Sequence, residues 1–208
     1  MIDYCRDVLK FKSTMGLLIN LTGKPAALSD FESALQMRLI KEEVGETFYK
    51  GIAKEDPIET IDGLADTLYV TIGAAAAYGF NLAEFVTELQ NTVRLGVPDT
   101  LFARMDHFAG VLFGALRGIQ FAEDFGDIWA LGPALAGMVS TIGMICDAWN
   151  IPLRPFWDEV QRANMDKVGG AVREDGKRLK PPGWRPPNHA PIFIRVFGEE
   201  RAAKYGIK

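Results

Sequence analysis

The sequence predicts an all-α protein: a helical bundle, internally duplicated, with an irregular C-terminal tail. Three observations carry that expectation. Apolar residues recur at helical spacing through most of the chain, no alternating run of useful strand length interrupts them, and 5 of the 11 prolines fall after residue 166. The 208 residues are ample for one independent core, and 48% hydrophobic with 24% charged residues are globular values that exclude wholesale disorder and collagen-like repeats.

The elements follow in chain order. Residues 3–18 are mixed, with Val8, Phe11 and Leu17 as anchors. Ser29 or Asp30 can cap a helix through FESALQMRLIKEEVGETFYKGI, where Leu35, Leu39, Ile40, Val44 and Phe48 form one apolar stripe. Lys54-Glu55-Asp56-Pro57 is a short connection, and Pro57 suits the first turn of the next helix. That helix, IETIDGLADTLYVTIGAAAAYG, carries no charge between Asp66 and Glu84, and Gly79 ends it. A further helix covers LAEFVTELQNTV, and Gly96-Val97-Pro98-Asp99 closes the first half. Residues 128–146 are 19 uncharged residues in a row, close to the ~20 that span a bilayer. Gly132-Pro133 is expected to break that run, and no Lys/Arg cluster flanks it, so a buried core helix is the reading. IFIRVF at 192–197 reads as a minor strand and RAAKYG as a short helix.

The second half repeats the first. Leu82-x-x-Phe85-x-x-Glu88-Leu89-Gln90 matches Leu153-x-x-Phe156-x-x-Glu159-Val160-Gln161, and Thr71-Ile72-Gly73 matches Thr141-Ile142-Gly143. Asp99-Thr100-Leu101-Phe102 stands where a second copy would begin, opposite Leu28-Ser29-Asp30-Phe31. A diverged duplication divides the single domain 1–208 into a helical unit at 29–98, a pseudo-repeat at 99–165 and a basic, Pro-rich tail at 166–208. The alternative is chance similarity between two Ala/Gly-rich helices.

Charge divides along the same lines. The net of -4 splits into -9 over residues 1–165 and +5 over residues 166–208, so an acidic body carries a basic tail and the chain is no nucleic-acid coat. Cys5 and Cys146 fit no metal motif and are too few for a disulfide framework, which points to a reducing, cytoplasmic compartment. The N-terminus, with Asp3 and Asp7 and no long apolar run, is not a signal peptide.

The chemistry concentrates in the first half. Glu43 and Glu46 share a helix face with Glu42 at its edge, and Asp62 and Asp66 share a face of the next helix. Two antiparallel helices would join these carboxylates into an oxygen-only set suited to magnesium or manganese. Neither His107 nor His189 sits near them in sequence, which argues against zinc. A solvated acidic face is the plain alternative. Asp66, however, opens a helix with no further charge, where a carboxylate needs a partner or a metal. The repeat retains none of these acids, so one active half beside one structural half is expected. Lysines and arginines of the tail, Lys180 among them, would bind phosphates, and Trp184 would stack on a base.

KEEVGE followed by IDGLADTLYVTIG resembles the all-α NTP pyrophosphatases, the MazG-like and dimeric dUTPase-like group that includes phosphoribosyl-ATP pyrophosphohydrolase. The closing DEVQRANMDKVGG and REDGKRLKPPGWRPP resemble the C-terminal signature of a bacterial and phage MazG-like branch. The resemblance implies a MazG-like bundle that hydrolyses a (d)NTP at the α–β bond to (d)NMP and pyrophosphate, with dUTP or phosphoribosyl-ATP as alternative substrates. It implies Glu43 and Glu46 as the ExxE ligands and Asp66 as the aspartate of ExxD. The position three before Asp66 is Gly63, a departure from that pattern, which leaves the fourth ligand as either Asp62, one residue further back, or Glu59, which spells a literal ExxD with Asp62. Magnesium is the implied cofactor, with manganese as substitute. Glu42 would orient or deprotonate the attacking water, and Asn164 and Lys167 would approach the phosphates. A nucleotide is the expected partner, without nucleic acid or membrane, and a homodimer is the expected assembly. A nucleotide-binding module without turnover is the reading from another class.

Overall fold

The structure is a computed structural model and describes residues 1–82 and 105–208. Eight α-helices are seen among these residues and no strand: α1 (Ile2–Thr14), α2 (Asp30–Glu46), α3 (Pro57–Tyr78), α4 (Met105–Asp124), α5 (Ile128–Ala148), α6 (Leu153–Met165), α7 (Ala190–Phe197) and α8 (Glu199–Lys204). The all-α expectation holds.

Local chemistry fixes the ends of the central pair. The Ser29 side chain accepts from the Glu32 amide at 3.3 Å and starts α2. Asp56 accepts from the Ile58 and Glu59 amides at 2.9 and 3.1 Å, and Pro57 fills the first turn of α3. Gly79, at φ 88°, closes α3 in the left-handed region. The helix expected to run on to Gly51 and Ile52 instead leaves α geometry after Glu46, through a π turn at Thr47–Gly51 and a 3-10 turn at Ile52–Lys54.

α2 and α3 pack as antiparallel neighbours. At one end the Thr47 and Thr67 hydroxyls lie 3.3 Å apart, and a Cβ on Gly63 would come within 2.7 Å of Thr47 Cα. At the other end Ser33 and Tyr78 both donate to the Glu123 carboxylate. Glycine at position 63 is thus what lets the two backbones approach.

α3 is the axis of the core and packs against α1, α2, α5 and α6. Its buried face includes Ile61, Leu64, Leu68 and Ile72, and Phe156 and Trp157 of α6 are fully buried. Polar pins join α1, α3 and α6: Trp157 Nε1 donates to Asp7 at 2.9 Å and Tyr69 Oη donates to Gln161 Oε1 at 2.7 Å.

Three expectations need correction or lie out of view. The 192–197 segment is helix α7, not a strand: Pro191 sits in its first turn and Phe193 is buried against Phe197 and Tyr205. Pro133 does not break the apolar run, because α5 starts at an Asp127 cap and Pro133 removes one donor early in a helix held by buried Leu131, Leu135 and Ala136. α5 is long and apolar enough to cross a membrane, yet half of its apolar stretch is buried inside the fold. The helix LAEFVTELQNTV after Leu82, the Gly96–Asp99 turn and the Asp99–Phe102 start of the second copy lie outside the described residues.

Candidate functional site

A cavity of about 430 Å³ opens between α1, α2, α3, the end of α6 and the loop after it. Helix periodicity selects its lining. α2 presents Glu32, Leu35, Gln36, Leu39 and Glu43, and α3 presents Asp66, Tyr69, Val70 and Gly73. Both sets step by three and four residues, the spacing of a single helix face. α1 adds Val8, Phe11 and Lys12 on the same rule.

Glu43 and Asp66 face each other across this antiparallel pair. Burial, then the negative charges of Glu46 and Glu42, pushes the Glu43 carboxyl up to about 7. Asp66 is raised well above the carboxylate range, first by burial and then by Glu43 and Asp62. Neither carboxylate has a hydrogen bond or an ion pair among the described residues. Like charges are therefore concentrated where water is scarce, a cost that a cation would remove.

Lys167 is the cation that faces them. It lines the same cavity, where burial lowers its pKa while Asp66 holds it up. Its ammonium donates to Asn164 Oδ1 at 2.6 Å, and Asn164 is itself buried at the end of α6.

The tail after α6 forms the remaining wall through Val172–Arg178. A lone bridge pairs Val172 with Arg178, and Gly176, at φ 87°, packs against Leu35. Arg178 donates to the Met15 carbonyl at 2.6 Å and the Gly170 carbonyl at 2.8 Å. Arg38 of α2 holds Asp175 through a 2.7 Å bond to its carbonyl and a 3.2 Å bridge to its carboxylate.

The sequence-predicted residues divide. Glu43, Asp66, Asn164 and Lys167 share the cavity. Glu46 instead bridges Lys50 one turn on at 2.7 Å, outside the lining, though its charge still reaches Glu43. Asp62 takes His189 Nε2 at 2.7 Å, so a histidine distant in sequence docks on the acid face. Glu59 is exposed on the first turn of α3. Glu42 is ion-paired with Lys177, which ties α2 to the tail. Lys180 lies outside the lining, its ammonium 4.0 Å over the Trp184 ring. Trp184 lies outside the lining as well, its indole N–H donating to the Ala163 carbonyl at 2.7 Å. Among the described residues no group of three acids, histidines or cysteines is drawn close enough to hold a metal on its own.

Sequence reasoning missed Lys12 and Gln36. Both are buried and both line the cavity. Lys12 Nζ donates to the Gly73 carbonyl at 2.9 Å, and burial brings its pKa down to about 8, with Glu32 opposing. The signal was present: Lys12 follows Val8 and Phe11 at helical spacing, and Gln36 precedes Glu43 by seven residues.

Residues 10–92 match the family model of phosphoribosyl-ATP pyrophosphohydrolase. No curated protein and no solved structure matches the chain. The matched family acts on nucleotide phosphoanhydrides, and the match implies a pyrophosphohydrolase enzyme. The segment that carries Lys12, Gln36, Glu43 and Asp66 is therefore a domain of the all-α, MazG-like NTP pyrophosphatase superfamily.

Proposed function

We propose that the chain is a magnesium-dependent nucleotide pyrophosphatase that hydrolyses a (d)NTP at the α–β phosphoanhydride to (d)NMP and pyrophosphate. The observation that carries this reading is the unpaired Glu43–Asp66 couple facing Lys167 inside one cavity.

The donors fit magnesium. It is a hard cation, commonly held by one or two carboxylates with substrate phosphates and water completing its shell. Two inward carboxylates, with no third acid, histidine or cysteine grouped with them among the described residues, are such a partial site. Glu43 and Asp66 would hold the ion, while Glu46 and Asp62 deepen the negative potential and stand as reserve ligands. Bound there, magnesium would polarise the phosphoanhydride and acidify a water. Manganese is expected to substitute.

The chain's own groups supply the rest. Lys167, oriented by Asn164, offsets charge on the departing pyrophosphate. Glu42 can take a proton from the attacking water only once Lys177 turns from it toward a phosphate. Leu35, Leu39 and Val70 wall the cavity against bulk water. We assign the enzyme to the cytoplasm as a homodimer.

The family match favours a second reading, phosphoribosyl-ATP as the substrate. A panel of canonical and modified (d)NTPs with phosphoribosyl-ATP, assayed for pyrophosphate in magnesium and in manganese, decides between them. Glu43→Ala and Asp66→Ala should each abolish release. Turnover surviving both changes in metal-replete buffer would refute the site, and binding without turnover would mark a nucleotide-binding module.

A further inference from the structure

We infer that the outward face of α4 is a homodimer interface, on which a second copy of this chain packs across a two-fold axis beside Phe121. This face stands apart from the nucleotide reading, because none of the described residues of α4 or α5 lines the cavity.

α4 is buried along one side through Phe108, Leu112, Leu116 and Ile119. The opposite side of such a helix ordinarily carries charged and polar residues. Here it carries two aromatic rings. Phe121 is 65% exposed and Phe125 73%, with ring centroids 4.5 Å apart, and Trp129 at the start of α5 is 80% exposed. The Phe125 amide still donates to the Phe121 carbonyl at 3.2 Å, so both rings belong to one helical face. Scattered apolar residues on a surface are ordinary, but neighbouring aromatic rings mark a contact surface. Gly114 and Gly118 continue that face toward the start of α4, both exposed, with open space around the place a Cβ would take.

The charges choose the occupant. Between Gly114 and Phe125 this face holds Arg117 and Asp124, both exposed and neither in an ion pair among the described residues. They are seven residues apart, about 10 Å along the helix. At roughly 100° per residue both fall on one flank of a stripe centred on Phe121, while Gly114, Gly118 and Phe125 fall on the other. A two-fold axis that packs α4 against its own copy antiparallel keeps each flank on its like and reverses the helix direction. Arg117 of each copy then meets Asp124 of the other, and Phe125 of each is set over Gly114 and Gly118 of the other. The two Phe121 rings meet at the axis. Glycines opposite phenylalanines let the two helices approach closely. A parallel pair would set Arg117 against the glycine flank and leave both charges unmatched. A lipid surface fits less well, since a helix lying on it carries Lys and Arg beside large apolar residues, whereas this face is net neutral and holds glycines.

The test is sedimentation equilibrium of the full chain over a concentration series, with wild type, Arg117→Glu, Asp124→Arg and the two combined. Wild type should be a dimer. Each single change sets like charges opposite each other at two places and should raise the dimer dissociation constant by roughly 10-fold or more. The combined change exchanges the partners and should restore the dimer. Both positions are exposed, so the fold should survive, and circular dichroism melts check that it does. Phe121→Cys, beside the axis, should form a disulfide-linked dimer under mild oxidation, above the background from Cys5 and Cys146 in wild type. Arg117→Cys should not, because its two copies would stand about 10 Å apart. A monomeric wild type overturns the inference, and its sedimentation with phosphatidylcholine–phosphatidylglycerol vesicles would mark a lipid-facing surface instead. A dimer that ignores the single changes, or that the combined change fails to restore, overturns it too. If no triphosphate is hydrolysed, the proposed function falls, and the sedimentation series still decides this face.

Discussion

Replacing Glu43 with glutamine should stabilise the metal-free protein at pH 8. The Glu43 carboxyl is raised from 4.5 to about 7 by burial and by its acidic neighbours. The native state thus holds that proton more tightly than the unfolded chain does. The contribution is zero below about 4.5, becomes a growing penalty as pH rises through the window up to about 7, and is a fixed penalty above it. A shift of that size corresponds to about 3 kcal/mol. For a chain of this length each kcal/mol moves the melting temperature by roughly 2–4 °C. Glutamine keeps the shape and removes the charge, so Glu43→Gln should melt roughly 6–12 °C above wild type at pH 8 in chelator. At pH 5 the two should nearly coincide. Magnesium should raise the wild-type melting temperature at pH 8 and leave the variant nearly unchanged. Thermal melts at four or five pH values, with chelator and with magnesium, provide the readout. A variant that melts at or below wild type at pH 8 in chelator would refute the idea that this carboxylate is held at a cost.

Glu46→Gln should reduce pyrophosphate release less than 10-fold, because its carboxylate already serves Lys50, whereas Asp66→Asn should cost on the order of 100-fold or more in the same assay. Arg178→Ala removes both of its carbonyl bonds and should loosen the tail wall, seen as faster proteolysis after residue 170 and a raised KM at similar kcat. Gly63→Ala places a Cβ 2.7 Å from Thr47 Cα, which should cost about 1–3 kcal/mol in denaturant unfolding.

Much of the fold was legible because its signals are local. Ser29, Pro57 and Gly79 act within one turn of where they stand, and their positions in the structure follow. Asp127 was the overlooked local signal: its side chain accepts from two amides at 3.0 Å and carries α5 past Pro133. α7 misled for another reason: a six-residue segment, apolar but for Arg195, is too short to show a period of its own, and packing of Phe193 and Phe197 decides it. Among the acids, sequence placed Glu43, Glu46, Asp62 and Asp66 on two shared faces but could not say which would stay unpaired. That depends on competitors: Lys50 for Glu46 and, from 127 residues away, His189 for Asp62. Lys12 shares the helical spacing of Val8 and Phe11, but a lysine on such a helix ordinarily reads as a solvated edge, so its spacing alone did not mark it as a site residue.

The charge split also takes on a sharper meaning at the level of single groups. A tail of net +5 beside an acidic body suggests that all its cations await phosphate, but most are already engaged. Arg178 donates to two backbone carbonyls, Arg173 is held by Asp175, and Lys180 lies over Trp184. Lys167 is different, since its one hydrogen-bond partner among the described residues is a neutral amide. Lys177 is different again, because its partner is Glu42, the residue proposed to activate water. A polyphosphate that draws Lys177 away would free Glu42 in the same movement. The base would then become available only with substrate in place, and a Lys177→Met variant should hold Glu42 free at all times. With substrate in place Glu42 would be free in both proteins, so kcat should change little while the KM for triphosphate increases. An unchanged KM in the variant would refute the idea that Lys177 leaves Glu42 for a phosphate.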